Sequence, residues 1–203
     1  MRDCLMAVAD GGGSSEVAEI SPVEAKVSDA TEVVGAERVA QPARDGLKII
    51  RATQIEEMAA IKDIAHEFHA ESRYGHLPFS EEKFARFCSS ALARPEDTVA
   101  LYVQYDGKAV GVLTAGAGDY YLTDGGRMAT VYVMYVSASI RETLLGGKIG
   151  MRLIRIVSEW ARSQRAEELH IHSTSGIDPE RTDKLLRRLG FKAFGGNYAV
   201  QLR

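Results

Sequence analysis

From Leu47 onward, apolar positions recur along the chain with two periods, and each period predicts an element. Met58, Ile61, Ile64, Ala65 and Phe68 recur at helical spacing, predicting one helix that buries this face and runs to Glu71. A short strand, Leu47 to Ala52, precedes it, and Thr53-Gln54-Ile55-Glu56 has the spacing of a capping box. A second helix is expected from a Ser80 cap to Ala93, with Phe84, Phe87, Cys88 and Ala91 inward and Pro95 ending it. Two apolar runs follow, Val99 to Tyr105 and Lys108 to Ala115, joined by Asp106-Gly107, the dipeptide that favours a tight antiparallel hairpin. In Met128 to Val136, strand formers alternate, which predicts a central strand. Ile149, Leu153, Ile156, Val157 and Trp160 then form a helical stripe opposite Arg152, Arg155 and Arg162, after a glycine-rich turn. Leu169 to Ser173 is a further strand, Asp178 or Pro179 opens a helix to Leu189 that Gly190 stops, and Tyr198 to Leu202 is a closing strand.

Composition separates the first 46 residues from the rest. All 15 aromatic residues lie beyond them, and they carry 9 acids against 4 bases, whereas the remainder carries 19 against 21. A segment of Ala, Val, Glu, Ser and Gly buries too little surface to offset its ordering entropy, so residues 1–46 are expected to be disordered alone, with a protein partner as the means of ordering them. The near-neutral remainder lacks the positive field of a nucleic-acid binder. No stretch approaches the roughly 20 apolar residues that span a bilayer, so no membrane partner is expected. The two cysteines, Cys4 and Cys88, point to a reducing compartment, and the acid-bearing N-terminus is unlike a secretory signal, so the expected location is cytoplasmic.

Candidate chemistry begins at the glycines. A strand, a glycine-rich turn and an amphipathic helix in succession put the backbone N–H groups of Gly146, Gly147, Lys148, Ile149 and Gly150 at a helix N-terminus, where donors and dipole favour a phosphate. Ile149, not Ser or Thr, follows Gly147-Lys148, and the spaced leading glycine is missing, so this is no P-loop. An antiparallel hairpin precedes it in place of a βαβ unit, which excludes the dinucleotide fingerprint. A bare helix N-terminus remains the alternative reading.

Taken with the order of elements, Met134 to Arg141, the glycines Gly146 to Gly150 and the helix from Pro179-Glu180-Arg181-Thr182 to Leu189-Gly190-Phe191 make residues 47–203 resemble the GNAT superfamily of acetyl-CoA-dependent N-acyltransferases, in particular the GNAT domains common in phage and bacteria. The resemblance implies an α/β fold in which helices flank a mixed, mostly antiparallel central sheet. It implies acetyl-CoA as co-substrate, held by Tyr135, Val136, Arg141 and Gly146 to Gly150, and an amine acceptor, either a small molecule or a protein. It also implies a backbone N–H near Tyr135 or Val136 for the oxyanion. Three positions depart from the family pattern. Glu142 to Leu145 look inserted between its Arg and its glycines, Pro179 stands where many members carry an Asn, and Leu186 stands where many carry a Tyr that protonates the thiolate.

Aminolysis of a thioester needs a base and an acid, and the strand Met128 to Val136 holds no carboxylate, which leaves His172, Glu71, His76 and the strand tyrosines as candidates. Tyr135 and His172 are the catalytic candidates, with a packed or solvated His as the plain alternative. His66 and His69 fall one residue short of a metal-binding H-E-x-x-H, and no metal site is expected. Tyr74, His76, Pro78 and Phe79 lie in the loop that walls the acceptor site in the resembled family, although Pro78 and Phe79 equally suit a staple before Ser80. Two functions stay open: acetyl transfer, or a GNAT-fold structural subunit without turnover, such as a virion component attached through residues 1–46. Homo-oligomerisation is left open too.

Overall fold

A computed structural model of the chain describes residues 46–120, 122, 124–195 and 199–200. The described elements are β1 (Leu47–Arg51), α1 (Ile55–Ala59), α2 (Lys62–Glu71), α3 (Glu81–Leu92), β2 (Thr98–Tyr105), β3 (Lys108–Asp119), β4 (Arg127–Val136), α4 (Ala138–Arg141), α5 (Leu144–Ser163), β5 (Glu168–Ile171) and α6 (Pro179–Arg188). The strands form one five-stranded sheet in chain order. β1 to β4 pair antiparallel and β5 pairs parallel to β4, so the expected mixed, mostly antiparallel architecture is present.

Asp106 and Gly107, at φ 48° and 78°, make the two-residue turn between β2 and β3 with both central residues left-handed, as strand twist favours. One face of the sheet packs on α5, whose Ile149, Leu153 and Val157 have no exposed surface. The other face packs on α1 to α3 through Met58, Ile61, Ile64 and Cys88. Each face thus carries its own apolar layer.

The helix expected to run unbroken to Glu71 is two helices. Met58, Ile61 and Ile64 are all at most 3% exposed, yet a spacing of three drifts round an unbroken α-helix. A break at Ile61, φ −98° and ψ 2°, keeps all three on the core. The capping box also sits one residue later than expected: the Glu57 carboxylate accepts from the amides of Thr53 (2.8 Å) and Gln54 (3.2 Å). Phe87 points outward, 37% exposed, while Cys88 beside it is buried. Phe79 does staple α3, its ring 5.9 Å from that of Phe84, flanking the Ser80 cap.

At α6 the sequence signals hold. Asp178 caps it, Pro179 opens it, and Gly190 at φ 87° closes it in a Schellman turn with Phe191 N–H on Leu186 O and Gly190 N–H on Arg187 O, both 3.0 Å. The closing strand expected over Tyr198 to Leu202 falls largely outside the described residues, and Ala199 and Val200 themselves belong to no regular element. The expected arm, up to residue 45, lies outside them as well. No described helix is long and apolar enough to cross a membrane.

Candidate functional site

The site begins where two strands part. Pairing between β4 and β5 ends at Val131 with Ile171, but β4 continues to Val136. Residues of β4 beyond Val131 therefore lack a neighbour on that side. Which amides they offer follows from alternation along the strand: Ser137 N–H donates to Val110 O (2.9 Å) on the β3 side, so the Val136 N–H points to the opposite, open edge. By the same parity Tyr135 N–H is directed at β3, so of these two amides it is the Val136 N–H that faces the open edge.

A cleft of about 570 Å³ opens at this divergence, walled by β4, the segment after β5, α5 and α6. Gly146, Gly147 and Gly150 line it, as do Tyr135, Val136, Arg141 and His172. Lys148 is exposed and outside the wall, and Ile149 is buried in the core beneath the sheet, so neither side chain reaches the cleft.

The glycines are not a turn before the helix but its first two turns. Thr143 is the N-cap: its hydroxyl accepts from Gly146 N–H (3.2 Å) and its carbonyl from Gly147 N–H (3.1 Å). The helix amides without an intrahelical acceptor are therefore those of Leu144 and Leu145. The sequence pattern places the free amides from Gly146 onward instead. The available signal was Thr143 itself, a good N-cap residue directly before an apolar pair. Gly146 is required sterically, since a Cβ there would lie 2.3 Å from Ile140 O, whereas a Cβ at Gly147 would meet nothing within 4 Å.

Arg141 lines the cleft with the glycines, but its side chain is engaged elsewhere. Its guanidinium pairs with Glu71 at 2.7 Å, bonds Val136 O at 3.4 Å and lies over the Tyr135 ring, 5.7 Å from its centroid. The extra residues Glu142 to Leu145 end α4 and cap α5, which leaves Arg141 to tie α2 to the end of β4. Glu67, one turn earlier on α2, takes Ser137 Oγ (2.8 Å) and Ala138 N–H (2.8 Å) on one oxygen and so caps α4. Two carboxylates on one face of α2 thus lock the strand end in place. The interaction spans about 70 residues of chain, which no local pattern reveals.

Tyr135 is 4% exposed, and its hydroxyl lies near the Glu67 carboxylate and the Arg141 guanidinium without a well-formed hydrogen bond among the described residues. Burial pushes the phenol well above its ordinary range, the Glu67 and Glu71 carboxylates push it the same way, and Arg141 opposes them. His172 is exposed, one residue past the end of β5. Leu186 lines the cleft, so the position that departs from the family's Tyr does face it. Pro179 opens α6 beside it. Among the loop candidates, His69 Nε2 bonds Leu77 O (2.7 Å) and His66 stacks on Phe79, while Tyr74, His76, Pro78 and Phe79 are outside the cleft wall. Among the described residues no group of three or more metal-ligating side chains occurs.

The wall is strongly cationic: Arg141, Arg155, Arg181, Lys184 and Arg188 line it against a single carboxylate, Asp178. An open Gly147, unpaired helix amides and a cationic wall suit a ligand with several phosphates and an extended arm, so the residues present fit acetyl-CoA.

No protein-family model matches the sequence, and no curated protein matches it significantly. Solved structures do. The fold is similar to a ribosomal-protein-alanine N-acetyltransferase from Brucella melitensis biovar Abortus, with TM-score 0.55 and 17% identity over 77% of this chain and 99% of that one. It is also similar to AAC(6')-Iy in complex with a CoA-containing bisubstrate analogue (0.57, 15%, 77% and 98%). A transcriptional regulator from Bacillus halodurans matches over the same share of the chain (0.60, 16%, 77% and 99%). At these identities the likeness concerns the fold, and the chain has the fold of the GNAT acyl-CoA N-acyltransferases.

Proposed function

We propose that the protein is an N-acetyltransferase that moves acetyl from acetyl-CoA to an amine. The observation that carries this reading is the parting of β4 from β5 beside the N-terminus of α5, which opens a cation-walled cleft with the Val136 N–H at its open strand edge. Acetyl-CoA, when bound, supplies an activated acetyl thioester. The residues of the cleft wall that would hold it are Gly146 and Gly147 in the first turn of α5, with Arg181 and Lys184 on the facing helix. Val136 N–H is the donor we assign to the thioester carbonyl oxygen, a contribution that in other enzymes reaches about 10²–10³-fold. Tyr135, its ionisation pushed up, holds a proton at its hydroxyl at neutral pH and is the donor we assign to the departing sulfur. His172 is the base we assign to the incoming ammonium.

A second reading, binding without turnover, is favoured by one observation: Leu186 faces the cleft and has no proton to give. The two readings separate on free thiol release from acetyl-CoA in the presence of an amine panel. Transfer by the wild-type protein, raised about tenfold by Leu186→Tyr as a positioned acid does, supports the enzyme. Tight acetyl-CoA binding with no transfer by either form supports binding alone. Brisk transfer left unchanged by Leu186→Tyr supports Tyr135 as the acid.

A further inference from the structure

The cleft is chemically divided. Its cations come from the helices α4, α5 and α6, whereas α2 and β4 supply the aromatic groups Phe68, Tyr132 and Tyr135. The lone carboxylate of the wall, Asp178, is already engaged, its Oδ1 accepting the Arg181 N–H at 3.3 Å to cap α6. Glu67 and Glu71 stand behind the wall and are both paired.

Within the aromatic part, Tyr132 has an unusual position. The register between β3 and β4 shifts at Thr114 and Ala115, which pair with Val133 and Val131, so Tyr132 is a bulge residue with no partner on β3. It directly follows Val131, the last residue of β4 paired with β5. Its ring lies across Gly116, where an added Cβ would come within 2.4 Å of the hydroxyl and 2.9 Å of the ring, and it stays 60% exposed. An exposed aromatic ring that also lines the cleft is therefore laid from β4 over β3, and glycine at position 116 is what lets it lie there.

Deepening the acetyl-transfer reading, on which this rests, we infer that the acceptor is a singly charged amine carried on a flat apolar body. With the cations of the wall taken by the coenzyme phosphates, a polycation would still need carboxylates for its further charges, and the one in the wall, Asp178, caps α6. A single ammonium on an aromatic or similarly flat frame meets the exposed Tyr132 ring, which can stack with the frame and attract the charge.

The test measures kcat/KM of the full chain for phenylethylamine and tyramine against spermidine and kanamycin, by thiol release from acetyl-CoA, with acetyl-CoA binding measured separately. The aryl amines are expected to lead by at least about tenfold, the ratio one good aromatic contact confers. Tyr132→Ala should raise their KM about tenfold while leaving acetyl-CoA binding unchanged, and Tyr132→Phe should recover most of the loss. Gly116→Ala, whose added methyl meets the end of the Tyr132 side chain and not backbone, should also raise KM with the melting temperature nearly kept. Polyamines that match or exceed the aryl amines overturn the inference, as does indifference to Tyr132→Ala. Acetyl-CoA binding without transfer to any aryl amine overturns it too. Absence of acetyl-CoA binding overturns the acetyl-transfer reading itself, and this inference with it.

Discussion

Helix α5 buries eight of its 20 residues, whereas α6, across the cleft, buries none of its 10. One is held by packing, the other by its ends. α5 sets Ile149, Leu153, Val157 and Trp160 into the sheet. α6 depends on the Asp178 cap, the Schellman turn at Gly190, an ion pair between Asp183 and Arg187 at 2.8 Å, and Arg181 reaching Arg141 O at 2.7 Å. Its Leu185, Leu186 and Leu189 remain half-buried along the cleft. The difference explains how the site is built. A rigid helix fixes the amides and the open Gly147 position, and a lightly held helix contributes charge and unfinished apolar surface that a ligand would cover.

The largest effect that separates the two helices is on stability. Leu153→Ala, at a position with no exposed surface, is expected to cost about 2–5 kcal/mol in denaturant melts. Leu185→Ala on α6 should cost well under half of that, and equal losses would remove the distinction. A smaller effect is expected from the α6 cap: Asp178→Ala should cost about 1 kcal/mol, because the cap bond goes and alanine must adopt the left-handed φ of 42°. Loss of acetyl-CoA affinity in the same variant, without loss of the overall fold, would show that α6 is held by its ends for the sake of the cleft.

The smallest effect concerns the strand between the helices. Because burial raises the Tyr135 phenol above its unfolded value near 10, the unfolded chain ionises first, and this contribution to stability is complete below about pH 10 and is lost as pH climbs toward the folded value. Wild type should lose melting temperature above pH 10 more steeply than Tyr135→Phe. Identical alkaline profiles would mean that the hydroxyl is not buried as described.

What could be read from the sequence and what could not divide along the same line. The α5 stripe, the Asp106-Gly107 hairpin and both ends of α6 are local signals, set by residues within a few positions of one another, and each is present as read. The architecture follows from their order. The helix itself starts earlier than the glycines imply, because Thr143 caps it and takes the amides of Gly146 and Gly147, which the glycine pattern alone leaves free. Arg141 was legible as a charged residue near the turn. Its commitment to Glu71 was not, because that pairing is made by tertiary approach of α2 to the end of β4. The outward face of Tyr132 depends on a one-residue register shift against β3, which alternation in β4 alone conceals.

On the proposed reading, the start of α5 receives the anionic part of a coenzyme. Titration calorimetry with acetyl-CoA on the wild-type protein and on Gly147→Glu tests it most directly, since the new side chain enters open space, leaves the fold intact and sets a carboxylate beside the helix N-terminus. The account predicts saturable binding by wild type and its loss in the variant at an unchanged melting temperature. No heat from wild type at millimolar acetyl-CoA, or equal binding by both forms, would contradict it.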